Sequence, residues 1–363
     1  MNPSLQTLHP DCRHFKGYIP CKPHKQHGVH CQDCPHYEPT KERILIIKLG
    51  AIGDVIRTTP LLHRLNKEYP AGRIYWLTLS PDVLPRQVDH VLRFDAVGVA
   101  VVQQTEFDLV LNLDKDPEAC ALANSVKANT KKGFLLRDSR PWPADADATA
   151  KFMTGLFDDL SRANEKSYLQ EIFEIAGYTF AGEPYILESG ANEEGWTLDP
   201  KKGVIGLNTG CGGRWSSRLW ADENWVALAK RLLQDGYAVV LLGGEQEHEK
   251  NVRLSRLSGA EYFGHFPLRR FIHLVDQCDV VVTAVTMATH IAIGLQKKVI
   301  LFNNTFNANE FELYGHGEIL EPDFDCDCYY AAVCPNNCMQ YLHVDTVYEA
   351  CQRWLIKSKL VLS

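Results

Sequence analysis

Three stretches of this 363-residue chain hold residue types that could grip a phosphate or move a proton. The first, Lys48-Leu49-Gly50-Ala51-Ile52-Gly53-Asp54, follows the apolar run Ile44 to Ile47. Its glycines let the backbone turn tightly and approach a ligand, and the helix expected after them offers unpaired N–H groups. Asp54, near that helix start, reads either as a cap or as a carboxylate able to take a proton. GxGxxG is absent, so this is not the dinucleotide fingerprint. The second stretch, Asn208 to Trp220 (NTGCGGRWSSRLW), places Thr209, Gly212, Gly213, Arg214 and Arg218 ahead of another expected helix. Backbone N–H groups can form a concavity for an anion and a guanidinium can bind two oxygens, which suits a phosphate-bearing ligand. The plainer reading is a Gly-rich loop whose arginines are solvated. The third, Val285 to His290 (VTMATH), follows a short apolar run and opens a helix. Its His290, taken alone, reads more readily as a core histidine satisfied by its neighbours.

The cysteines form a separate signal. Twelve are present: Cys12, Cys21, Cys31 and Cys34 near the start, Cys326, Cys328, Cys334 and Cys338 near the end, and Cys120, Cys211, Cys278 and Cys351 singly. Residues 1–40 mix Cys, His and Pro with hardly any apolar periodicity, so this piece needs a staple or a host surface. Cys12, Cys21, Cys31 and Cys34, ending in CxxC and interspersed with histidines, are therefore expected to bind structural zinc, with a four-cysteine iron–sulfur cluster as the alternative and plain thiols as the third reading. The second group reads as a further metal site, a disulfide pair or ordinary packing.

The elements that must position these residues alternate. Strands are expected at Ile44–Ile47, Arg73–Leu79, Ala96–Val102 and Phe107–Leu113, with a helix from about Asp54 to Tyr69. After a more helical, polar stretch from Pro141 to Leu187 comes a linker-like run, Glu188 to Lys202. A second series follows, with strands at Gly203–Leu207, Tyr237–Leu242, Val280–Thr283 and Val299–Phe302, and helices at Ala221–Gln234, Leu268–Asp276 and about Thr289–Leu295. The fold class is α/β: two Rossmann-like domains facing a cleft, residues 41–190 and 191–363, plus the small Cys/His-rich N-terminal segment, residues 1–40.

Composition narrows the function classes. The chain is 45% hydrophobic and 23% charged with a formal net charge of -7, which fits an ordinary enzyme and argues against generic nucleic-acid binding. No apolar stretch of spanning length and no signal-peptide pattern is visible, so a cytoplasmic location is expected. Reduced thiols in that compartment favour metal ligation over disulfides.

The order of the segments ILIIKLGAIGDVIRTTPLL, GGRWSSRLWADENW, GGE and DVVVTAVTMATHIAIGLQKKVILF resembles glycosyltransferase family 9, the ADP-heptose:lipopolysaccharide heptosyltransferases, over roughly residues 42–350. The resemblance implies a GT-B fold and sugar transfer with inversion from a nucleotide diphosphate sugar, without a catalytic metal. It implies Asp54 as base, Lys48 in the donor or diphosphate neighbourhood, Arg218 at the diphosphate, and Thr286 and His290 lining the donor site; Gly53, Thr209, Gly212, Gly213 and Arg214 join them as donor-binding candidates on the loop readings alone. It also implies a saccharide or glycolipid acceptor of the lipopolysaccharide type, reached by peripheral contact with the inner membrane. Val285 and Met287 stand where the family has Asp and Gly, and Arg218 where it has Lys. Those departures leave two alternatives to heptosyl transfer: a different donor, or a non-catalytic sugar-nucleotide-binding or assembly protein. An iron–sulfur redox-linked protein is the third.

Overall fold

The apolar runs become the middles of two separate sheets, each in its own unit. The computed structural model describes residues 5–190, 195–198 and 202–360, and divides into unit 1 (Met1–Leu49, Leu61–Pro81, Arg86–Asp145) and unit 2 (Gly50–Pro60, Asp82–Pro85, Ala146–Ser363). The expected linker over 188–202 lies partly outside the described residues.

Unit 1 holds β1 (Arg43–Ile47), β2 (Arg73–Thr78), β3 (His90–Arg93), β4 (Glu106–Asn112), β5 (Lys127–Arg137) and β6 (Arg140–Pro143), in the order β3-β2-β1-β4-β5-β6. All neighbours are parallel except the hairpin β5–β6. Ile44 pairs in register with Ile74 on one side and Leu109 on the other, and Ile44 to Ile47 are fully buried. Covering a parallel sheet on both faces requires such unbroken apolar strands.

Unit 2 holds β7 (Val204–Asn208), β8 (Ala238–Leu242), β9 (Val280–Ala284), β10 (Lys298–Phe302) and β11 (Gly317–Leu320), parallel throughout in the order β11-β10-β9-β7-β8. The order reverses between β7 and β9. In open parallel sheets the space beyond the strand ends at such a reversal is where ligands bind, and the loops that leave β7 and β9 are the second and third motifs. The two sheets together make a two-unit α/β, GT-B-like architecture.

Three expectations require correction. Ala96–Val102 is not a strand but most of the helix Ala96–Gln104, because the Asp95 carboxylate caps it by accepting from the N–H groups of Val97 and Gly98. The helix expected from Asp54 to Tyr69 is two helices, Ile52–Ile56 and Leu61–Glu68, split before Pro60, which lacks the N–H to continue the first. Finally, the metal-type cluster is not N-terminal. Among the described residues the group of His, Cys, Asp or Glu whose ligand atoms converge is Cys326, Cys328, Cys334 and Cys338, all within 4.8 Å of one another. Cys12, Cys21, Cys31 and Cys34 line one cavity in unit 1 without converging in that way. The N-terminal segment instead closes on itself, Arg13 N–H donating to Glu38 O and Thr40 N–H to Asp11 O, and meets the rest of unit 1 where the Arg13 guanidinium pairs with Asp89 at 2.8 Å.

Candidate functional site

A cavity of about 660 Å³ opens in unit 2 at the β7/β9 reversal, within the size range of small-molecule sites. One wall is the loop after β7. Gly212 there takes φ of +72°, a backbone state that side-chain-bearing residues resist. The loop ends in a short turn, Ser216–Arg218, that tucks Arg218 inward until only 7% of it is exposed. Its guanidinium lies 4.3 Å from the Trp215 ring centre and 4.1 Å from that of Phe306, and it donates to the Val285 carbonyl. Nε is buried with no hydrogen-bond partner, and among the described residues no carboxylate pairs with the group. Burial without a counter-charge pulls its pKa down to about 10. A cation so placed lacks an anion.

The opposite wall comes from the helices Ile52–Ile56 and Met287–Gly294. Asp54 sits in the first turn of the former, three residues beyond the Ala51 cap position, where a negative charge complements the helix dipole. Its Oδ1 pairs at 2.8 Å with Arg57, whose guanidinium carbon lies over the Tyr168 ring, 3.4 Å from its centre. Gly53 faces His290: a Cβ at position 53 would lie 2.5 Å from His290 Cδ2. The imidazole is buried, with Nδ1 3.4 Å from the Tyr185 hydroxyl. Burial first, then the nearby Arg57 charge, lowers its pKa to about 3, so it is neutral at ordinary pH. Thr286 caps the second helix by accepting from Ala288 N–H, while its hydroxyl meets Thr283 and the Asn208 amide.

The four thiols of Cys326, Cys328, Cys334 and Cys338 are not among the residues that line this cavity. Cys326 and Cys334 Sγ are 3.5 Å apart, Cys328 and Cys338 Sγ 3.6 Å. Those separations far exceed a disulfide bond and approach the edge, about 3.8 Å, of a tetrahedron with 2.3 Å metal–sulfur arms. N–H donors point at the sulfurs: Asn304 Nδ2 to Cys338 at 3.2 Å and Cys338 N to Cys334 at 3.5 Å. Four convergent soft ligands with such donors can coordinate a metal ion.

Residues 100–317 match the model of glycosyltransferase family 9 (heptosyltransferase). The chain belongs to that family. Among solved structures, it is similar to a family 9 glycosyl transferase from Veillonella parvula (TM-score 0.67, 17% identity, 88% of this chain and 99% of that one). It is also similar to E. coli ADP-heptose lipopolysaccharide heptosyltransferase II (TM-score 0.66, 15% identity, 87% and 99% covered). A third is the iron-containing dodecameric glycosyltransferase of enterotoxigenic E. coli (TM-score 0.54, 14% identity, 88% and 77% covered). Likeness at such identities bears on the fold. No curated protein matches the chain.

In this family 9 chain Gly53, Asp54, Gly212, Arg214, Arg218, Thr286 and His290 line one cavity. Lys48, Thr209 and Gly213 do not line it. Lys48 lies in unit 1 with its ammonium on the buried Asp114 carboxylate, and the Thr209 hydroxyl donates to Asn251. Sequence reasoning missed Arg57, Phe306, Glu310 and Tyr330, which also face the cavity. Arg57 had a signal, since i and i+3 on a helix are neighbours. Glu310 ends a three-residue 3-10 turn, Ala308–Glu310, and Phe306 and Tyr330 come from irregular segments, so no periodicity marks a face.

Proposed function

We propose that this chain is an inverting glycosyltransferase that moves a heptose-like sugar from a nucleoside diphosphate sugar to a saccharide acceptor of the lipopolysaccharide type. Residues 191–363 take the donor and residues 41–190 serve the acceptor. The observation that carries the reading is Arg218, a buried cation between two aromatic rings with no carboxylate among its described partners. Burying a charge is costly unless an opposite charge meets it, and a diphosphate offers paired oxygens that match a guanidinium. Arg214, the N–H groups of the Gly212 loop, Thr286 and the neutral His290 supply the rest of the donor contacts.

Asp54 accepts the proton of the acceptor hydroxyl as that oxygen attacks the anomeric carbon. The bond from that carbon to the diphosphate oxygen breaks, its electron pair leaves with the diphosphate, and Arg218 and Arg214 stabilise the charge that develops there. Attack from the side opposite the leaving group inverts the configuration. Arg57, held over the Tyr168 ring, is a positioning residue for Asp54. The thiols of Cys326, Cys328, Cys334 and Cys338 hold a structural zinc or iron; the iron-containing E. coli relative is the reason to test iron beside zinc. Among the described residues no helix is long and apolar enough to cross a membrane. The exposed Met153, Leu156, Phe157 and Leu160 support a cytoplasmic chain in peripheral contact with the inner membrane.

Calorimetry with ADP, UDP, GDP and their sugars, followed by product analysis, tests the reading. Arg218→Ala should weaken the best nucleoside diphosphate by about 1.5 to 3 kcal/mol, the range for hydrogen bonds to charged groups. Equal affinity in both proteins would take Arg218 out of the site. Tight binding with no turnover of any donor would favour a non-catalytic sugar-nucleotide-binding protein, the reading for which Val285 and Met287 speak.

A further inference from the structure

Three segments that are distant in sequence meet between the thiol group and Arg218. The Asn304 amide lies at the junction: Nδ2 donates to the Ser217 carbonyl at 2.7 Å and to Cys338 Sγ at 3.2 Å, while the Asn304 carbonyl accepts from Cys328 Sγ at 3.6 Å. The turn that carries Arg218 is tied to the cysteine segment a second time. Ser217 N–H donates to Ala332 O at 3.0 Å, Ser217 Oγ to Ala331 O at 2.7 Å and Ser216 Oγ to Ala332 O at 3.3 Å. Tyr330 N–H donates in turn to Thr305 O at 2.9 Å.

The two aromatic rings against the guanidinium, and the Tyr330 ring that packs on them, each stand two residues from one of these anchors. Trp215 precedes Ser217, Phe306 follows Asn304, and Tyr330 follows Cys328. Phe306 meets both others, with ring centres 5.4 Å from Trp215 and 4.8 Å from Tyr330. None of the four cysteines lines the cavity. The turn Ser216–Arg218 is too short to hold itself, and the segments 303–306 and 328–332 contain no helix or strand. What fixes their mutual position is this set of bonds, and the one from Asn304 Nδ2 to Cys338 Sγ, which a metal-bound thiolate can still accept, links it to the thiols.

We propose that the four-thiol metal site is the brace of the diphosphate wall: metal occupancy at Cys326, Cys328, Cys334 and Cys338 sets the affinity of the cavity for nucleoside diphosphate through Asn304 and Ser217, without touching the ligand. The inference rests on the reading of these thiols as metal ligands and of the cavity as a nucleotide site. Coupling of this kind is reciprocal, so bound nucleotide must hold the metal more tightly by the same factor.

The experiment uses the full chain. Metal content is read by mass spectrometry, and ADP affinity by calorimetry before chelation, after chelation and after zinc or iron is restored. The chelator midpoint for metal release is read with and without ADP. ADP affinity should fall about tenfold on stripping and return on reloading, and ADP should shift the chelator midpoint by the same factor. Asn304→Ala keeps all four thiols; it should retain metal yet bind ADP with an affinity that no longer depends on it. The proposal is overturned in three separable ways. A protein that neither carries nor takes up metal removes the site, and one that binds metal but shows equal ADP affinity with and without it removes the brace. A loaded protein that binds no nucleoside diphosphate removes the donor reading and the inference together.

Discussion

Asp54 was ambiguous from sequence because an Asp near a helix start is most simply a cap. The structure places it past the cap position, facing the cavity and paired with Arg57. Asp54→Asn keeps the size and the hydrogen-bonding ability but cannot take a proton. Turnover should fall by a factor on the order of 100 to 10,000, the usual contribution of general acid–base catalysis, while nucleotide affinity stays close to that of the parent. Stability should drop by less than about 1 kcal/mol, since the pair with Arg57 is one-third exposed on the Asp54 side. An Asn variant with near-normal turnover would reduce Asp54 to an ion-pair partner. Motif residues such as Asp54 and Arg218 were legible because their chemistry is local: a glycine turn, then a charge, then a helix. The partners that give them their setting were not. Tyr168 and Phe306 come from elsewhere in the chain, and nothing near them in sequence announces the cation each one covers.

The helices Ile52–Ile56 and Met287–Gly294 pack closely because glycine stands where they touch. At position 53 a methyl group would press against the buried His290 ring, and at Gly294 a Cβ would come within 3.6 Å of Ile56 Cγ2. Gly53→Ala should cost about 1 to 3 kcal/mol in urea unfolding, the range for overpacking a tight site. It should also weaken nucleotide binding, because relief requires His290 or the Asp54 helix to shift. A variant as stable as the parent, with unchanged affinity, would show that the contact has slack. The central strands were legible at this scale, since burial on both faces leaves an apolar run and little else. Strand β5 (KANTKKGFLLR) was missed because much of it faces solvent and reads as polar. The helix Ala96–Gln104 was misread because its valines suggest a strand, although Val97 is 73% exposed and the Asp95 cap was in plain view.

Folding of the whole molecule is linked to pH through His290. The unfolded imidazole takes up a proton below its ordinary pKa of 6.5, whereas the folded one stays neutral down to about 3. Between those values the unfolded state binds more protons, so stability is fully present above 6.5 and is lost as pH falls toward 3. By pH 5 the loss should be about 2 kcal/mol. Urea midpoints at pH 7 and pH 5 measure it, and His290→Asn should flatten the slope by that share; an unchanged slope would locate the acid sensitivity elsewhere. At this scale the two-unit architecture was legible from two α/β series in succession. The position of the metal-type cluster was not, because ligand convergence depends on tertiary path: a CxxC with five nearby histidines looked stronger on paper than Cys326-x-Cys328, yet among the described residues it is the latter's group that closes.

Residues 50–60 belong to unit 2 although they precede most of unit 1 in the chain. That crossing has a consequence for synthesis. The helix Ile52–Ile56, whose Val55 and Ile56 end fully buried, emerges from the ribosome roughly 235 residues before His290. At about 5 to 20 residues per second that interval is on the order of ten to fifty seconds. During it, unit 1 can close around Ile44–Ile47 while the very next turn of chain waits without its partner. A nascent chain arrested near residue 260 should therefore hold this stretch open to chaperones and proteases, and one arrested well past β10 should not.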